Sequence, residues 1–208
     1  MAVETNVTRK AVWGWRLAIV ALALAAGPSC GDLTKQGKSA SYLIIENLRG
    51  APGFTPDELS NTLQSDVQTQ GSPYEDVGEV VMRLALKDPG LPSVPLTPSV
   101  NNYITVTRYR VEFRREIGRN TPGVDVPYPF DGATTFTVVG GTTGGSFILV
   151  RAQAKLEAPL LALRGLGGAL VISTIAEVTF YGHDQTGVPV SATGAISVNF
   201  ADWADPEG

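Results

Sequence analysis

The stretch Tyr103–Arg115 (YITVTRYRVEFRR) constrains the fold more than any other part of this chain. Successive side chains of an extended strand point to opposite faces, so an alternating sequence sorts its residues onto two surfaces. One face collects Tyr103, Thr105, Thr107, Tyr109, Val111 and Phe113, a mostly core-facing set, and the other collects Arg108, Arg110, Glu112 and Arg114. Antiparallel sheets commonly bury one face and wet the other, and this is such a strand. Two uses of the charged face stay open: a binding strip for an acidic polymer or partner, or a solvated face whose arginines pair with carboxylates across strands. Glu112 within the strip favours pairing.

Short runs of β-branched and aromatic residues, broken by Gly and Pro, continue through the rest of the chain from Tyr42. Strands are expected at Ser41–Arg49, Gly78–Lys87, Ala133–Val139, Ser146–Lys155, Ala169–Tyr181 and Val188–Phe200. In Gly78–Lys87, alternation places Val80, Met82, Leu84 and Leu86 on one face. Thr62–Gln68 reads as a weaker strand, competing with a helical start at Thr55–Leu63 that opens Thr-Pro-Asp-Glu. Gly140–Gly145 (GGTTGG) reads as a flexible hairpin loop, and Asp184–Gly187 as the tight turn of a terminal hairpin. Glu157–Leu163 is the one short helix expected, stopped by Gly165, Gly167 and Gly168.

The N-terminus follows a different pattern. Arg9, Lys10 and Arg16 precede an apolar run, Leu17–Ala26, and then Gly27, Pro28, Ser29 and Cys30, the only cysteine in 208 residues. Basic, apolar and small-residue segments in that order form an export signal. The apolar run is shorter than the roughly 20 residues a helix needs to cross a bilayer. Gly27-Pro28-Ser29-Cys30 resembles the lipobox of bacterial lipoproteins, matching at its last two positions and departing at Gly27 and Pro28. The resemblance implies cleavage before Cys30, a diacylglycerol on its thiol and an acylated (palmitate-type) amino group. Gly31 rather than Asp after the cysteine implies the periplasmic face of the outer membrane. The expected organisation is therefore a signal peptide over 1–29, a lipidated Cys30 with a flexible tether to residue 40, a domain over 41–203 and a tail over 204–208.

Loss of residues 1–29 would remove three basic groups and one acidic one from a chain whose net charge is already −4. An acidic exported domain is not a general nucleic-acid binder, which needs a basic stripe to displace counterions. A chain of this length buries enough surface to fold without disulfides. Taken together, the strands resemble an all-β, antiparallel immunoglobulin-like or fibronectin-like sandwich of about seven to eight strands, without the paired cysteines and core tryptophan of antibody domains. Trp203, the only tryptophan after Cys30, is expected to pack onto the end of the last strand.

No enzyme is expected. His183, the only histidine, sits beside the terminal turn with no nucleophile or metal-ligand spacing around it, and no phosphate loop is present. Neither a cofactor nor a metal is assigned. Two Pro-rich loops remain, 88–102 and 116–132 (EIGRNTPGVDVPYPFDG), and loops on a rigid sheet scaffold commonly carry function. In the second, Asp125, Tyr128, Phe130 and Asp131 form a candidate ligand site, with calcium as a further option for the two carboxylates. The alternative is a stiffened connection whose aromatics cap the core. Two functions follow: a non-catalytic structural or protein-interaction module tethered to the envelope, and a carbohydrate or small-ligand binder built on residues 116–132.

Overall fold

The computed structural model describes residues 38–203 and residue 205. The signal segment, Cys30, the first part of the tether and all of the tail except Asp205 lie outside the described residues. Ten strands are present among the described residues: β1 (Ser41–Ala51), β2 (Thr62–Asp66), β3 (Asp76–Leu86), β4 (Gly90–Leu91), β5 (Val94–Pro95), β6 (Ile104–Arg114), β7 (Phe130–Val138), β8 (Thr142–Val150), β9 (Ile172–Asp184) and β10 (Pro189–Ala201). A three-stranded sheet runs β1-β3-β8, and a five-stranded sheet runs β2-β10-β9-β6-β7. The two-stranded β4-β5 hairpin stands apart from both. The fold is all-β, as the alternation requires, but it is not purely antiparallel: β2 runs parallel to β10, with Leu63 opposite Val198 and Ser65 opposite Phe200.

The two large sheets share one core. Val80, Met82 and Phe147 of the smaller sheet meet Val111, Phe180 and Val198 of the larger in a single buried cluster. Three rings tie the layers together. Phe147 lies edge-on to Tyr109 at 5.1 Å and to Phe180 at 5.2 Å between centroids, in the T-shaped arrangement that matches the positive ring edge to the negative face. Tyr109 also reaches across with its hydroxyl, which accepts a hydrogen bond from the Ile148 amide at 3.1 Å. Burial pushes its phenol above the ordinary pKa.

Two bulges determine which residues face this core. In β6 the register jumps between Val106 and Arg108 against both neighbours: Thr107 is the extra residue against β9, and against β7 it faces two unpaired residues, Thr134 and Thr135. Ile104 and Val106 are buried before the bulge, and Tyr109, Val111 and Phe113 after it. The expected core positions Tyr103, Thr105 and Thr107 are therefore corrected to Ile104 and Val106, because one inserted residue exchanges the two faces of a strand with period two. In β1 the jump at Glu46 does the same, moving burial from Leu43 to Leu48. Where a strand carries no inserted residue of its own, as in β3 from Val80 to Leu84, the alternation holds even though its partner β1 bulges opposite it.

Glycines account for a further difference. Gly144 and Gly145 lie within β8, opposite Val81 and Val80, and not in a loop. A Cβ on Gly145 would sit 2.3 Å from the Phe136 ring, so this glycine admits an aromatic side chain against the backbone. The terminal turn forms as expected: Gly187 has φ +88, and the Asp184 carboxylate accepts bonds from the Thr186 and Val188 amides at 2.9 and 3.0 Å. Although burial alone would raise the Asp184 pKa, these bonds with those from the Thr186 and Ser39 hydroxyls hold it below the usual value.

The predicted helices shift. No helix forms at 55–63, where β2 begins instead at Thr62. Strand β8 ends at Val150, and the four residues Ala152–Lys155 form a single α-helical turn, α1. Of Glu157–Leu163, only Leu160–Leu163 coils, as a 3₁₀ turn that buries Leu160 and Leu163. Trp203 docks beside Gly168, its amide held by the Asp66 carboxylate at 3.0 Å.

The strand directions give the domain two distinct ends. Ser41 pairs with Leu86, Ile104 with both Val138 and Asp184, and the Ser41 hydroxyl donates to the Asn102 carbonyl at 2.7 Å. The incoming chain, the 88–102 loop and the 184–188 turn thus share one end. At the other end, Ala51 pairs with Val77, Phe200 with Ile172, and β6 runs out at Arg114 into residues 115–129.

Candidate functional site

The loop between β6 and β7 is the best candidate on the described surface, and the residues expected to form a site there do not act as one group. Phe130 opens β7 and is buried, 6.3 Å from Tyr109 and covered by the Arg151 guanidinium at 4.4 Å from its ring. Asp131, the next residue, points to the opposite face, as strand geometry dictates. There it accepts from Arg110 at 2.8 Å and Arg108 at 3.5 Å. Phe130 thus belongs to the core and Asp131 to the sheet surface.

Asp125 and Tyr128 stay in the loop, in a tight local structure. The Thr121 carbonyl accepts from the Val124 and Asp125 amides at 3.1 and 2.9 Å, the Gly123 amide donates to Val126 at 2.8 Å, and the Asp125 carboxylate accepts from the Thr121 amide at 3.1 Å. That last bond, with Arg119 and Arg115 nearby, holds the Asp125 pKa below its ordinary value. Gly123 has φ +75, and the Tyr128 ring lies against it where a side chain would otherwise stand. The hydrogen bonds fix the turn, while Ile117, Val124 and Tyr128 stay exposed at 87%, 64% and 51%. The result is a stiff apolar projection at the end of the domain farthest from the incoming chain.

The charged face of β6 is neutralised. Arg110 bonds Glu112 at 2.7 Å as well as Asp131, Arg114 bonds Glu177 at 2.7 Å, and Arg108 stacks on the Tyr181 ring at 3.9 Å. Every cation of the strip has a partner, which favours the solvated-face reading over a polyanion site. Exposed pairs of this kind contribute little, so Arg114→Ala is expected to cost less than about 1 kcal/mol in urea unfolding. A loss well above that would assign the strip a structural role.

The alternation in sequence gives no sign of a buried ion pair beneath the far end. Lys155 of α1 and Asp76 of β3 are each 1% exposed in their side chains, with Nζ 2.9 Å from Oδ1. The same Oδ1 accepts from the Gly53 amide at 2.9 Å, and Oδ2 accepts from the Ser65 hydroxyl at 2.5 Å. Burial pushes the Asp76 carboxyl above its ordinary pKa, against the pull of the Lys155 ammonium and of the hydrogen bonds from Ser65, Lys155 and Gly53. Both of its oxygens are engaged from within, so it is a clasp joining β2, β3 and α1. Lys155 ends an apolar run that reads as strand, and its only sequence signal is a cation within hydrophobic surroundings.

Among the described residues no three His, Cys, Asp or Glu side chains gather as a metal would require. His183 is exposed at the end of β9, its Nδ1 3.1 Å from the Asp184 carbonyl. An open groove of about 470 Å³ is lined by Arg108, Tyr181 and Val190, with no carboxylate in its lining. No helix among the described residues is long and apolar enough to cross a membrane. Comparison with known proteins finds no matching family model, curated protein or solved structure.

Proposed function

We propose that this chain is a lipid-anchored envelope protein whose immunoglobulin-like domain is a non-catalytic module presenting residues 115–129 to a protein partner. The observation that carries this reading is the separation of the two ends. The chain enters beside Lys87 and Asn102, downstream of Cys30, while the stiff apolar projection of Ile117, Val124 and Tyr128 stands at the opposite end. A tether from Cys30 would hold that projection away from the bilayer. Exposed aromatic and aliphatic side chains on a preorganised loop suit protein contacts, where rigid anchors lose little entropy on binding. The burial of Phe130 and the pairing of Asp131 count against the sugar or small-ligand alternative, which needs both beside Tyr128.

The immunoglobulin-like assignment is supported by strand order. With β1, β3 and β8 taken as A, B and E, and β6, β7, β9 and β10 as C, C′, F and G, the sheets reproduce the A-B-E and G-F-C-C′ arrangement of that architecture. The parallel β2 then continues the first strand across to the second sheet.

The test has two parts. Mass spectrometry of membrane fractions should find a doubly or triply acylated N-terminal peptide beginning at Cys30, and Cys30→Ala should move the protein out of the lipid-modified pool. Recovery of an unmodified Cys30 peptide would end the anchor reading. A photoreactive residue at Tyr128 should then give a discrete envelope crosslink that one at Thr193, on the open sheet face, does not; equal yields at both would remove the loop from the proposal.

A further inference from the structure

We infer that the β4-β5 hairpin is a second membrane contact, seated in the headgroup layer of the bilayer that holds the lipid anchor; this rests on the anchored reading above. Leu91, Val94, Leu96 and Val100 are 68%, 66%, 53% and 65% exposed within ten positions of one loop, and Val139 at the same end is 43% exposed. Monomeric soluble domains rarely concentrate apolar surface in this way without covering it.

The hairpin is built to hold these side chains out. Gly90 pairs with Pro95 and Leu91 with Val94, the Leu96 amide donates to the Pro89 carbonyl at 2.9 Å, and the Asp88 carboxylate accepts from the Gly90 amide at 3.0 Å. Ser99 and Asn102 close the far side through a bond of 2.9 Å between their side chains. Pro89, Pro92, Pro95 and Pro98 further limit its freedom. An apolar tip already fixed in shape loses little entropy on insertion.

Chain geometry selects the occupant. The Lys87 amide donates to the Ala40 carbonyl at 2.9 Å and Ser41 bonds Asn102, so both feet of the 88–102 loop are fastened to the first residues of the domain. Only seven residues separate Cys30 from Lys38. At about 3.3 Å per residue the cysteine can lie no more than roughly 33 Å from Ala40, where the hairpin's base is fastened, and an acylated cysteine sits at the bilayer surface. Lys38 and Lys87, both exposed, flank that base and outnumber the exposed Asp88 beside them, a balance that suits anionic headgroups. Two or three acyl chains at Cys30 already hold the protein on the bilayer, and a contact at the hairpin fixes its orientation there.

The test uses the full lipidated protein in phosphatidylethanolamine–phosphatidylglycerol vesicles. With Cys30 acylated, Leu91→Cys or, separately, Val94→Cys supplies the one free thiol for an environment-sensitive fluorophore, and Glu116→Cys marks the opposite end. The expected result is blue-shifted emission at 91 and 94 that nitroxide-bearing lipids quench, with the label at 116 remaining in water. Water-like emission at 91 and 94 on vesicle-bound protein overturns the hairpin contact while leaving the anchor intact. Shielding that lipid nitroxides do not reach overturns it in favour of a second copy of the chain. Labelling of Cys30 itself, with no partition onto vesicles, removes the anchor and this contact together.

Discussion

Lys155→Met is expected to destabilise the domain by about 3–5 kcal/mol, the usual consequence of leaving one member of a buried ion pair without its partner. For a domain of this size that is a fall in Tm of roughly 10 °C. Asp76 would keep the Gly53 and Ser65 donors but lose the cation that offsets its burial. Its pKa in the folded state, already raised by burial, should rise further. The sign of the pH dependence follows. A carboxyl whose folded pKa exceeds its unfolded value of about 3.9 takes up its proton more readily when folded. The variant should therefore recover stability as pH falls from neutral through the folded pKa, and the recovery should be complete near pH 4. Asp76→Asn combined with Lys155→Met removes both charges while keeping an acceptor for Gly53, and should regain most of the loss. Urea titrations of the single and double variants at several pH values measure these quantities. Single variants within about 1 kcal/mol of the parent, with no acid recovery, would show that the clasp does not hold β2, β3 and α1 together.

The clasp also marks where sequence reasoning reaches its limit. Alternation in Gly78–Lys87 was enough to place Val80, Met82 and Leu84 in the core, because an uninterrupted strand has one free parameter, its phase. In Tyr103–Arg115 the same reasoning located the strand and its wet face but assigned three core positions one residue off, since the bulge at Thr107 depends on pairing with β7 and β9 and leaves no local mark. Asp76 and Lys155 are 79 positions apart and meet only because β3 and α1 share one end of the sheets. The candidate ligand loop divides for a related reason. Phe130 begins the next strand, and it packs against a ring, Tyr109, that lies 21 residues earlier in sequence and diagonal to it on the neighbouring strand.

Gly132→Ala is the second substitution with a large expected effect, about 2–6 kcal/mol, although it adds a single methyl group at a half-buried position. Gly132 stands opposite Tyr109 in the β6-β7 register, and its new Cβ would lie 2.2 Å from Cζ and 2.3 Å from the hydroxyl oxygen of that tyrosine. The ring cannot retreat inward, because Phe147 and Phe180 occupy the space beneath it. Forced displacement in a packed core costs about 1–3 kcal/mol. Moving the hydroxyl also strips the Ile148 amide of its acceptor, and a buried donor left unpaired costs about 1–3 kcal/mol more. Gly140→Ala is the matched control, since nothing lies within 4 Å of its added Cβ and it should fall within about 0.5 kcal/mol of the parent. Tyr109→Phe alone should lose the cross-sheet bond, yet combined with Gly132→Ala it should cost less than the sum of the two, because the clash and the bond share one hydroxyl. Chemical denaturation of the four proteins gives the coupling directly. Strict additivity would mean that the tyrosine hydroxyl keeps its bond to the Ile148 amide when the Cβ is added, so that the ring yields without breaking the bridge between the sheets.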